Sequence, residues 1–148
     1  MSIIGPDLYQ LIEKHVSDLH GVQIYGQVVE PIYSQVKNRI ALIFALESVL
    51  DDHRQKYATE WSPLLGRQAL EHLLLKKYQW PLTIIRELSL KDIVLCLQEE
   101  LELNNLPNPG KATLDLYYPF PHKQFFPDFQ EEEWDPDLYL KLPERQRW

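Results

Sequence analysis

Three sets of residues in this 148-residue chain carry groups capable of chemistry, and none of them completes a site by spacing alone. The first set is acidic. Glu47 stands four residues after Ile43 and three before Leu50, on the stripe of a helix that should be buried. Asp51 follows one turn on, and Arg54 one heptad on. A buried carboxyl must be paired or protonated, and either state moves its pKa. With a histidine alongside, Glu47 and Asp51 would form the acid–base pair of a small enzyme. No nucleophile or further catalytic group can be placed from spacing, so the simpler account is an ion pair at the end of a core.

The second set is the histidines. His15 and His20 flank Asp18, and His53 follows Asp51-Asp52. Zinc or iron wants two ligands three or four apart on a helix face, plus a third elsewhere. His15 and His20 are five apart, and no His-Glu-x-x-His or Glu-x-x-His occurs, which removes the di-metal helical bundle. The expectation is surface or capping histidines, with no metal and no cofactor. Cys96 is the only cysteine and sits in the apolar run Ile93–Leu97, so it reads as a core residue rather than a nucleophile. Dinucleotide, phosphate-loop, nucleophile-elbow and paired-cysteine motifs are all missing. These absences set the expectation of a chain without catalytic activity.

The third set is aromatic. Beyond Asn105 lie seven of the 11 prolines and nine of the aromatics, including Tyr117, Tyr118, Phe120, Phe125, Phe126, Phe129 and Trp134. Beside them runs Glu131-Glu132-Glu133. Aromatic rings bring large contact area and prolines lower the entropy lost on binding, so these ten residues form a candidate strip for a basic protein partner. The competing account is that the segment wraps its own helices, since exposed aromatics in this number invite aggregation. Both hold if one face of the strip is buried and the other free. The three adjacent glutamates are expected to face solvent, because pairing all of them is costly.

Charge narrows the partner classes. The formal net charge is −7, from 22 acids against 15 bases, which opposes contact with nucleic-acid backbones. A helix-turn-helix-like DNA regulator built on residues 66–101 is the alternative, favoured only if Arg67, Lys76, Lys77, Arg86 and Lys91 share one exposed face. No basic-then-apolar leader opens the chain, and no apolar run approaches the ~20 residues of a membrane span. The expected setting is therefore cytoplasmic and off the membrane, with a homo-oligomer left open.

The elements that must position these groups are helical. Pro6 and Asp7 open a helix carrying Leu8, Ile12, Val16 and Leu19, and Gly21 closes it. The stretch from Val22 to Val29 reads as irregular or weakly helical. Pro31 opens the strongest helix, to about Tyr57, apolar all round over Ile40–Leu46 and therefore central. Ser62-Pro63 reads as the start of the next helix, running to Tyr78, after which Trp80-Pro81 breaks the chain. A short helix over Leu82–Leu88 follows, and Ser89 with Asp92 caps another to Leu101. The resulting expectation is an all-α bundle of four to six helices over 1–104, with 105–148 extended and packed on it as part of the same domain.

Overall fold

The computed structural model describes residues 2–119 and 124–143. Among them are six α-helices and three 3-10 turns, and no strand. The all-α expectation holds.

Helix α1 spans Pro6–His20 with its proline in the first turn, where a missing N–H costs nothing. Leu8, Ile12 and Val16 are buried, while Leu19 lies half-exposed at the last turn. Gly21 takes φ 63 and ψ 34, and the N–H of Val22 returns to the Ser17 carbonyl at 3.0 Å. This left-handed closure favours glycine because a Cβ is strained there. The stretch after it is irregular.

Helix α2 spans Ile32–Tyr57, and α1 packs along it. Ile40, Ile43, Phe44, Ala45 and Leu46 are almost entirely buried, so this helix is covered on several sides, as its apolar middle predicts. Helix α3 spans Gln68–Tyr78, beginning later than expected. Ser62-Pro63 starts no helix, because Leu64 and Gly66 take left-handed φ of 57 and 58 and turn the chain first. At Gly66 the left-handed φ favours glycine, and a Cβ there would also push the Asp137 carboxylate aside. Two short helices follow, α4 over Leu82–Arg86 and α5 over Leu90–Cys96. The Ser89 hydroxyl accepts from the Asp92 N–H at 3.2 Å, the cap that the spacing predicts. Helix α5 stops at Cys96, and turns carry the chain onward with Leu97 and Leu101 still buried.

The segment beyond residue 105 departs from the expected extended course. It begins with helix α6, Asn108–Tyr117, which packs on α2. Pro109 does not prevent this helix but starts it, since prolines fit a first turn and break only interiors. Gly110 seats α6 closely, because a Cβ there would collide with the Ser48 hydroxyl on α2. Residues 124–143 then run in extended and 3-10 conformation. Phe126, Trp134, Leu138, Tyr139 and Leu142 join the same hydrophobic cluster as Leu8 and Phe44. Each such ring removes on the order of 150–250 Å² from water, worth several kcal/mol at ~25 cal/mol per Å². Among the described residues, no helix is long and apolar enough to cross a membrane.

Candidate functional site

Where α2 meets the C-terminal strap, two carboxylates and an arginine become buried. Glu47 is 4% exposed, and its Oε1 accepts from the Trp134 indole N–H at 2.6 Å. Its Oε2 is buried without a partner. Burial pushes the Glu47 carboxyl up to about 7, against the opposing pull of the indole hydrogen bond and the Arg54 charge. The sequence names Arg54 as its partner, but the Arg54 guanidinium donates to Asp51 at 3.3 Å and to the Leu64 carbonyl at 2.8 Å. Asp51 also accepts from Ser2 and from Gln55, each at 2.8 Å, and burial raises its pKa.

Closer to the other end of α2, Arg39 is 2% exposed. Its guanidinium donates to both Glu133 oxygens at 2.6 and 2.8 Å, to the Asp128 carbonyl at 3.0 Å, and to the Phe126 carbonyl. The rings of Phe126 and Phe129 lie 4.8 and 3.9 Å from it. His20 adds a 2.7 Å contact to Glu133 Oε2 from α1. Burial lowers the Arg39 pKa while Glu133 opposes the shift. One cation on α2 thereby holds four residues of the strap.

This latch overturns the expectation that all three glutamates face solvent. Glu133 is fully buried, and only Glu131 and Glu132 lie at the surface. The cause is local geometry: Glu131–Glu133 form a 3-10 turn, and three residues per turn send three side chains in three directions. Glu133 goes inward to Arg39, Glu131 accepts from the Leu90 N–H at 3.0 Å, and the Glu132 side chain stays outside.

The aromatic candidates divide in the same way. Tyr118, Phe126 and Trp134 are buried, Tyr117 stacks on Tyr9 at 4.9 Å, and Phe129 is half-buried beside Arg39. Phe120 lies outside the described residues. Phe125 differs from the rest because its ring is 66% exposed. Its backbone is nevertheless fastened, since Gln35 donates to its carbonyl at 3.2 Å and Asn38 to that of Gln124 at 2.9 Å.

Comparison with protein-family models, with curated proteins and with solved structures finds no match to this chain. The chemistry of the site therefore rests on its own geometry.

The histidines keep separate company. His15 Nε2 donates to the Glu132 carbonyl, 2.7 Å away, and His20 belongs to the latch. His53 faces His72 at 2.7 Å between ring nitrogens. His72 is absent from the sequence reading, because 19 residues and a change of helix separate it from His53 and no local pattern announces the pair. Among the described residues, no three metal-ligating side chains cluster. Among the described residues Glu47 and His53 share no hydrogen-bond partner, and Trp134 covers the carboxyl that would act as acid. Of the basic residues weighed for DNA, Arg67 is half-buried over Trp134, whereas Lys76 over Tyr57, Lys77 paired with Glu100, Arg86 paired with Glu71, and Lys91 all lie at the surface.

Proposed function

We propose that this chain is a small protein-binding module without catalytic chemistry of its own, which docks onto a basic protein through the strap around Phe125. The observation that carries the reading is the contrast at Phe125 between a fastened backbone and an exposed ring. An aromatic held in place loses little entropy when a partner covers it, which is what distinguishes an anchor from an accidental surface ring. Asp128, Glu131 and Glu132 lie at the surface of the same strap, so the anchor has an acidic rim suited to lysines and arginines. The net charge of −7 acts in the same direction over longer range.

The test is a photoreactive phenylalanine analogue placed at position 125 and, for comparison, at the equally exposed Leu116, in the native host. A basic protein crosslinked from 125 and not from 116 is expected. Phe125→Ala should lose that capture while its thermal midpoint stays within about 2 °C of the parent, since little burial is removed. Undiminished capture by Phe125→Ala would refute the proposal.

A further inference from the structure

Cations cover the aromatic rings of this fold repeatedly. Arg39 lies against Phe126 and Phe129, Arg54 is 5.0 Å from the Tyr139 centroid, Arg67 5.6 Å from Trp134, and Lys76 4.9 Å from Tyr57. Trp80 is covered differently, by stacking on Tyr78 at 4.4 Å. Among the described tryptophans, Trp61 alone has neither ring nor cation against it, and it is 89% exposed. Indole is the aromatic group that attracts cations best, so the strongest such acceptor in the described fold is left open.

The loop that carries Trp61 is firmly built. The Thr59 N–H donates to the Ser62 carbonyl at 2.9 Å, and the Ser62 N–H returns to the Thr59 carbonyl at 3.2 Å and its hydroxyl at 3.1 Å. Trp61 therefore sits at the tip of a closed turn. Behind it, Leu64 is buried with φ 57, a left-handed conformation that leucine adopts only under compulsion. Its carbonyl accepts from Arg54, and the N–H of Gly66 donates to the Tyr139 hydroxyl at 3.1 Å. The chain has accepted local strain in a fastened loop whose tip contributes nothing to its own core.

The charge at the tip is one-sided. Glu60, beside Trp61, is exposed and takes part in no ion pair among the described residues, whereas the nearby Lys56 is matched to Asp52 at 3.0 Å. We infer that the 59–62 turn is a docking knob for a protein segment bearing arginine, whose guanidinium lies on the open face of Trp61 while Glu60 meets its charge. Arginine suits the site better than lysine because its planar, weakly hydrated cation stacks on a ring. None of the residues around Phe125 takes part, so the two surfaces are tested by different variants.

The experiment follows the Trp61 indole N–H by heteronuclear NMR on the full chain, assigned through Trp61→Phe. The probes are a blocked peptide alternating arginine with glycine and one of equal length alternating aspartate with glycine, at near-physiological salt. The arginine peptide should shift the Trp61 signal. Trp61→Ala should weaken its binding roughly fivefold, an exposed cation–π contact, and Glu60→Gln should weaken it by a smaller factor. Both variants should melt within about 2 °C of the parent, because the side chains are exposed. Unchanged affinity in Trp61→Ala, or equal binding of the aspartate peptide, would overturn the inference. It would equally be overturned if Trp61 responded only to phosphatidylcholine vesicles, marking a lipid contact, or only to protein concentration, marking self-association.

Discussion

The Trp134 indole nitrogen lies 2.6 Å from Oε1 of Glu47, across 87 residues of sequence. The bond ties the strap to the middle of α2 with a group whose protonation changes near neutrality, since burial pushes Glu47 up to about 7. Because the folded pKa exceeds that of the free carboxyl, near 4.5, the protonated form is favoured by folding. The resulting stabilisation is complete below about 4.5 and has gone once pH has risen through about 7. Glu47→Gln keeps the acceptor and removes the titration. It should match the parent near pH 5 and exceed it by ~1–3 kcal/mol near pH 8, by urea denaturation at both pH values. An equal difference at the two pH values would show that Glu47 does not titrate in this range.

Arg39 and Glu133 are a buried pair in which each partner depends on the other. Arg39→Ala leaves the buried carboxylate with only His20 and the Gln130 N–H and frees two strap carbonyls, so it should cost ~3–5 kcal/mol. The double variant Arg39→Met with Glu133→Gln should recover a substantial part of that loss. Additive losses in the double-mutant cycle would argue against a direct pair.

His53 supplies the acid limb of the stability profile. Burial, followed by the nearby His72 and Lys76, lowers its pKa to about 4, so the ring is held neutral. The folded pKa lies below the unfolded value of 6.5, so this stabilisation is full above about 6.5 and is lost as pH falls through about 4. Between about 4.5 and 6.5 it runs opposite to that of Glu47, and Glu47→Gln is the background in which to see it. The His53 ring signals should titrate far below the ordinary histidine range. A midpoint above 6 would mean that the ring is open to water.

Truncation after Asn105 should abolish cooperative folding. It removes α6, the Trp134 and Tyr139 rings, and Glu133, uncovering the apolar cluster on α1 and α2 that they close. Loss of the near-ultraviolet circular dichroism and of a sharp denaturant transition is expected. A truncated chain that still melted sharply would show that α1–α5 fold alone. Point variants such as Phe125→Ala therefore separate docking from stability where this truncation does not.

The central helices were legible because local signals govern them. Pro6, Gly21, Pro31 and the Ser89–Asp92 cap act over one turn, and the apolar middle of α2 is written in consecutive residues. Glu47 showed itself by standing on a buried stripe. Its real partner did not, because Trp134 arrives from the far end of the chain. Arg39 gave no warning either: an arginine on an amphipathic helix normally reaches water, and only the strap folded over it makes it a core residue. Expecting 105–148 to be extended missed α6, because Pro109 sits in a first turn, where a proline starts a helix. Among the three glutamates of the strip, burial was decided by which way a 3-10 turn faced, and composition does not encode that.

The span between Arg39 and Glu133 also sets an order of events during synthesis. The two are 94 residues apart, and at ~5–20 residues per second the ribosome needs on the order of ten seconds to make the second after the first. Throughout that interval a cation destined for the interior has no counter-ion, and the nascent helices expose the surface that the strap will cover. The stretch that closes the interior emerges after the helices it covers. A chain interrupted before Glu133 is left not with a slightly shortened protein but with an unsealed one, and chaperones and proteases would meet it in that form.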